Sequence, residues 1–183
     1  MDFAEVRKNF EKHGFATQAF ATPEEVRSYF VRTLENQTIG FGGSVTLREL
    51  GLFEALSERN AVAWHNKVNS MDVRRMANTA RVYITSVNAV SETGEIVNID
   101  GTGNRVAMTA FGPDICYYVI GKNKITPNLA SAISRSKNVA APLNAKRLGV
   151  KTPCAINGDK CYDCDSPGRI CRITTITDRA PLS

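Results

Sequence analysis

The stretch Thr38-Ile39-Gly40-Phe41-Gly42-Gly43-Ser44-Val45-Thr46-Leu47-Arg48-Glu49-Leu50 constrains the fold most: a short apolar run breaks into glycines and then resumes at helical spacing. The pattern predicts strand, turn, helix. Glycines at 40, 42 and 43 permit a tight turn with positive φ and let a ligand approach where a Cβ would block it. Ser44 or Thr46 can cap the helix, whose apolar residues Leu47, Leu50, Phe53 and Leu56 predict one buried stripe. The free N–H groups of its first turn suit an anion. The spacing is neither the dinucleotide fingerprint nor the P-loop, having no third glycine at the right offset and no Lys before the Ser/Thr. A plain capped connection and an anion or substrate site therefore both remain open.

At 183 residues with 43% hydrophobic content, the chain suits one well-buried domain with a tail. The expected division is an α/β domain over residues 1–150 and a cysteine-rich segment over 151–183. No apolar run reaches the roughly 20 residues of a membrane helix, and Met1-Asp2-Phe3-Ala4-Glu5 lacks a signal-peptide layout, so the expectation is a cytoplasmic protein with no membrane partner. Net charge is +5, concentrated late: residues 121–183 carry 11 Lys/Arg against 4 Asp/Glu. A solvated basic face explains this best. Aromatic residues are not interleaved with the charges, which argues against nucleic acid as a partner.

Phe3, Val6 and Phe10 predict a helix over 3–13, Phe15 to Phe20 a strand, and Thr22-Pro23-Glu24-Glu25 a strong helix start with Thr22 as cap. Ala61 to His65 reads as a strand, Met71 to Ala80 as a helix and Arg81 to Ser86 as a strand. This alternation indicates an α/β fold with a mostly parallel sheet flanked by helices. His65 stands alone after a strand, a position that suits a hydrogen-bonded loop residue better than a catalyst.

Residues 88–108 alternate and turn at Thr93-Gly94-Glu95 and at Asp100-Gly101-Thr102-Gly103. Ser91, Glu92, Thr93, Asp100, Asn104 and Arg105 can sit on loops at strand ends, as a site or as a turn network. Ile115 to Gly121, almost wholly apolar, predicts a central parallel strand covered on both faces. A long basic helix is expected from Asn128 to Leu148, kinked or interrupted at Pro142.

Cys154, Cys161, Cys164 and Cys171 follow a C-x6-C-x2-C-x6-C spacing. Cys161 and Cys164 can chelate one ion, and the outer pair can close a tetrahedron of zinc or of a 4Fe-4S cluster. Four free thiols are the alternative. Lys160, Arg169 and Arg172 would offset thiolate charge. Cys116, within an apolar strand, suits the core.

Taken together, Ile39 to Leu47, Ser91-Glu92-Thr93-Gly94, Asn98 to Ala107, Ala140 to Arg147, Lys160-Cys161-Tyr162-Asp163-Cys164 and Pro167 to Cys171 resemble the LUD domain family over about residues 35–175. The resemblance is to a short stand-alone branch with C-terminal cysteines. The family takes its name from bacterial lactate-utilisation proteins, one of which works with iron–sulfur partners in oxidising L-lactate. It implies a fold of the ribose-5-phosphate isomerase, glucosamine-6-phosphate deaminase and CoA-transferase group. It also implies a small anionic ligand, bearing phosphate or carboxylate, at Gly40, Gly42, Gly43, Ser44 and Thr46. Were the protein an enzyme, Asn104 and Arg105 would help hold the ligand, Arg105 as a bidentate clamp, and Glu92 or Asp100 would move a proton. Thr102 and Gly103 stand where the isomerase turn carries its second acidic residue. Relatives of this branch continue with a strand after the cysteines, and an end at Pro181-Leu182-Ser183 leaves that strand missing or replaced. Two other readings stay open: an interaction or assembly subunit docking to an iron–sulfur oxidoreductase, and a metal-knuckle nucleic-acid binder. Homo-oligomerisation is expected by analogy.

Overall fold

The structure, a computed structural model, describes residues 3–182. In chain order it contains α1 (Phe3–Lys12), α2 (Pro23–Thr33), β1 (Thr38–Phe41), α3 (Val45–Glu49), α4 (Leu52–Ser57) and β2 (Ala61–Trp64). Then come α5 (Met71–Ala77), β3 (Val82–Thr85), β4 (Ala89–Ser91), β5 (Ile96–Asp100), α6 (Asn104–Ala110) and β6 (Ile115–Tyr118). A short 3-10 turn leads into β7 (Ile125–Thr126) and α7 (Leu129–Arg135), and the π-helical turn Ser136–Ala140 into α8 (Ala141–Leu148), followed by α9 (Pro153–Asn157) and β8 (Ile173–Thr177). No helix of the described residues is long and apolar enough to cross a membrane. The chain forms two compact units: among the described residues, one of 3–17, Val87–Val106 and Lys122–Leu182, the other of Gln18–Ser86 and Ala107–Gly121. The α/β body expected over residues 1–150 is thus shared between both units, and the cysteine segment belongs to the first.

The second unit is built on a parallel sheet in the order β2-β1-β3-β6. Ile39 and Phe41 of β1, with Val82 and Ile84 of β3, join Phe30, Leu34, Leu47, Leu52, Leu56 and Trp64 in one apolar cluster, which places α2, α3 and α4 on that face. The opposite face packs Tyr83 against Ala77 of α5 and Met108. Gly40 points to this side, and a Cβ there would stand 2.1 Å from the Ala77 carbonyl oxygen. The glycine is what lets α5 lie directly on the sheet.

Three expectations change. The helix after the glycine turn is broken at Gly51, whose φ of 62° is left-handed, so Leu52 rather than Leu50 completes the buried stripe with Leu47 and Leu56. Phe15 to Phe20 forms no strand. β6 is an edge strand paired only with β3, and its four residues are partly exposed or exposed. Its apolar run reads like a central strand because edge position leaves no mark in composition.

The first unit carries a mixed sheet in the order β7-β4-β5-β8. Ala89 and Val97 pack against Ala132, Leu129 and Ile133 of α7. The predicted interruption near Pro142 occurs as the π turn just before it: proline lacks an N–H and its ring crowds the carbonyl four residues back, which a widened turn relieves. A strand does follow the cysteines. All five residues of β8 pair antiparallel with β5, from Asp100 opposite Ile173 to Ile96 opposite Thr177.

Replacing Gly40 with Ala should lower stability by about 2–3 kcal/mol, because the Cβ lands on backbone that cannot rotate away. Urea denaturation checks this; an unchanged midpoint contradicts the close approach of α5.

Candidate functional site

The residues expected to form a site fall in different units, 40–46 in the second and 92–105 in the first. In the second unit, Phe41 lies opposite both Trp64 and Ile84 across parallel pairs. The segments that follow, Gly42 to Ser44, His65 and Asn66, and the end of β3, therefore stand at the carboxyl ends of neighbouring strands. From β1 the chain moves to β2 on one side, and from β3 to β6 on the other. The strand order reverses between β1 and β3, and open α/β sheets bind ligands at such a switch point.

The turn itself is tightly held. The Gly42 N–H donates to the Ile84 carbonyl at 3.0 Å, and the Gly42 carbonyl accepts the Trp64 indole N–H at 3.0 Å. Ser44 caps α3, its hydroxyl accepting the Leu47 N–H at 3.2 Å. Thr46 lies within the first turn of α3. At Gly43 a Cβ would stand 3.1 Å from Nε2 of His65 and 3.6 Å from Oδ1 of Asn66. The fold thus sets His65, which the sequence reading placed aside, and Asn66 directly against the glycine turn. The only signal available was their position immediately after a strand. Gly40, by contrast, faces α5.

In the first unit the Asp100 turn closes on itself. Oδ1 accepts the N–H groups of Thr102 and Gly103 at 3.0 and 3.1 Å, and Oδ2 those of Arg105 and Val106 at 3.1 and 3.3 Å. The Arg105 guanidinium lies 3.7 Å away through Nε and also bonds Oδ1 of Asn88 at 3.0 Å and the Ile99 carbonyl. Burial alone would raise the Asp100 pKa, but Arg105 and the backbone N–H groups of Gly103, Thr102 and Val106 outweigh it and hold the carboxyl below its usual range. Asp100 is thus an ionised anchor for the start of α6, and Arg105 braces that anchor. Asn104 opens α6 between them.

Glu92 takes part through its backbone, its N–H bonding the Thr126 carbonyl at 2.7 Å and its carbonyl accepting from Nδ2 of Asn9 at 2.8 Å. The organised carboxylate of this turn is Glu95. It accepts from the hydroxyls of Ser91 and Thr93. Burial opposes ionisation, yet these hydrogen bonds and the charge of His13 bring its pKa below the usual value.

The cysteine segment folds around Arg169. Its guanidinium donates to the Cys164 carbonyl at 2.7 Å, the Cys171 carbonyl at 3.1 Å and Oδ1 of Asp163 at 3.2 Å. Asp163, at a φ of 43°, closes the Cys161-to-Cys164 turn and donates its N–H to Sγ of Cys161 at 3.3 Å. Hydrogen bonds from Ser166, with the charge of Arg169, lower the Cys164 pKa. Cys154 sits in α9, its Sγ 3.3 Å from Oγ1 of Thr152. Among the described residues no three His, Cys, Asp or Glu side chains are grouped so as to hold a metal ion. Cys116, partly buried, packs against Ala77, Tyr83 and Met108, where burial pushes its thiol up to about 12.

The profile of the LUD domain family matches residues 3–181. The chain is similar to a solved structure, a DUF162 family protein from Deinococcus radiodurans, at 16% identity and a TM-score of 0.51, covering 97% of this chain and 88% of that one. At that identity the likeness is one of fold. No curated protein matches the sequence.

The depressed Asp100 pKa sets a pH dependence. A carboxyl whose folded pKa lies below its unfolded value of about 3.9 stabilises fully above that value and loses the contribution as pH falls through the folded pKa. Asp100→Asn should cost about 1–3 kcal/mol at neutral pH and flatten this acid-side loss. Thermal melts of both proteins from pH 7 to pH 2 check it; parallel curves would contradict the anchor role.

Proposed function

The chain belongs to the LUD domain family, and from that membership we propose that it binds a small carboxylate-bearing organic acid of the lactate class at the turn Gly42–Ser44, in the service of organic-acid oxidation. The observation that carries the reading is the placement of this glycine turn at the switch point of the parallel sheet, with His65 and Asn66 beside Gly43. A ligand carboxylate would lie over the turn, where Gly43 presents no side chain. His65 and Asn66 supply a ring nitrogen and an amide for a neighbouring hydroxyl or keto oxygen, the second polar group of a 2-hydroxy or 2-oxo acid. Ser44 fixes the start of α3 by accepting the Leu47 N–H, and its own O–H is left to donate to the carboxylate.

Titration of the intact, isotope-labelled chain with L-lactate and pyruvate, using acetate as the control for carboxylate alone, should shift the amide signals of Gly42, Gly43 and Ser44 and the ring signals of His65. Gly43→Ala should weaken binding about tenfold or more, because its Cβ would crowd His65 at 3.1 Å. Shifts confined to other residues, or binding unchanged in the variant, would overturn the site.

A further inference from the structure

A cavity wholly within the first unit and independent of the glycine turn has a volume of about 120 Å³. Its floor includes Ile99 and Thr174, directly opposite each other on β5 and β8, so it rests on paired sheet. Around it stand three cations, Lys137, Arg169 and Arg172, and one anion, Asp163, whose carboxylate is already paired with Arg169. Cys161 and Cys171 complete the wall, both as free thiols. The cations come from two pieces of structure, the π turn and the cysteine segment. Lys137 is presented by the π turn, and Arg172 is fixed by bonds from its guanidinium to the carbonyls of Arg169 and Pro167 and from its N–H to the Asp100 carbonyl.

We propose that this cavity is a thiol–disulfide exchange site for a low-molecular-weight disulfide that bears carboxylates. Three points converge. A cavity of this size admits an arm of a ligand, such as a carboxylate and its short stem, and not a whole cofactor. Its charge is positive by two, counting the three cations against Asp163, which draws an anionic arm and repels a cationic one. Two cysteines, Cys161 and Cys171, line it, and together they supply an attacking and a resolving thiol. Arg169 holds both ends of the segment by binding the carbonyls of Cys164 and Cys171, and this keeps the wall in place while bonds change.

The exchange balances without any further reagent. The Cys161 thiolate attacks one sulfur of the small disulfide; that S–S bond breaks, a mixed disulfide forms on Cys161, and the first small thiolate leaves and takes up a proton. The Cys171 thiolate then attacks the Cys161 sulfur and releases the second small thiol. Two protein thiols are oxidised to one disulfide, and one small disulfide is reduced to two thiols.

The test exposes the reduced full chain near neutral pH to oxidised glutathione, which is anionic, and to cystamine, its cationic counterpart, and maps adducts by peptide mass spectrometry. Rates are normalised to free cysteine. Oxidised glutathione should react at Cys161 about tenfold faster than cystamine, and a Cys161–Cys171 link should follow. Lys137→Glu should narrow that preference about fivefold, while an unchanged melting temperature and an unreacted Cys116 report that the fold persists. Equal normalised rates, or adducts spread evenly over Cys154, Cys161, Cys164 and Cys171, would overturn the proposal. So would stoichiometric zinc or iron in the purified chain that blocks all four thiols until chelated.

Discussion

The carboxylate of Asp100 is the interaction on which the first unit depends. It gathers four backbone N–H groups and faces the Arg105 guanidinium, so the chain turns sharply at the end of β5 and enters α6 in one direction only. The same turn receives the cysteine segment: the Asp100 carbonyl accepts the Arg172 N–H at 3.0 Å, and Gly101 leaves room for the Ile170 carbonyl, which would stand 2.9 Å from a Cβ there. From Arg172 the chain continues directly into β8, which pairs along the whole of β5. A buried charge is tolerated here because every oxygen is satisfied and a countercharge is at hand.

The second unit rests on a different economy of space. Helices cover both faces of a parallel sheet, and one of them reaches the backbone only because Gly40 has no side chain. With the strands buried, polar groups concentrate at their carboxyl ends. Ser86 shows the pattern, its hydroxyl bonding the Val119 carbonyl at 2.6 Å just beyond β3 and β6. The glycine turn, His65 and Asn66 occupy the same edge, which is why a ligand has somewhere to go.

Much of the local structure was legible in the chain. Thr22, Ser44 and Asn128 each cap a helix by accepting the backbone N–H three residues on, as short polar side chains before an apolar run should. Pro142 and the strand–turn–helix at 38–50 were equally readable, and family membership followed from motifs that are individually weak. The site was less so. Asp100 and Arg105 stood out as charged groups, but their pairing with each other and with the backbone could not be read from the chain. Glu95, hydrogen-bonded to Ser91 and Thr93, carried no sequence signal that set it apart from Glu92.

What the sequence determined by itself is whatever depends on neighbours along the chain: caps, breaks, the alternation of strands and helices, and the positions where glycine must stand. These follow from sterics and hydrogen bonds spanning a few residues. Only the tertiary structure decided that β6 is an edge, that Gly40 serves packing, that His65 meets Gly43 and that Arg169 stands between the cysteines. Each of those outcomes depends on which distant segments share one volume, and close packing resolves that for the whole chain at once.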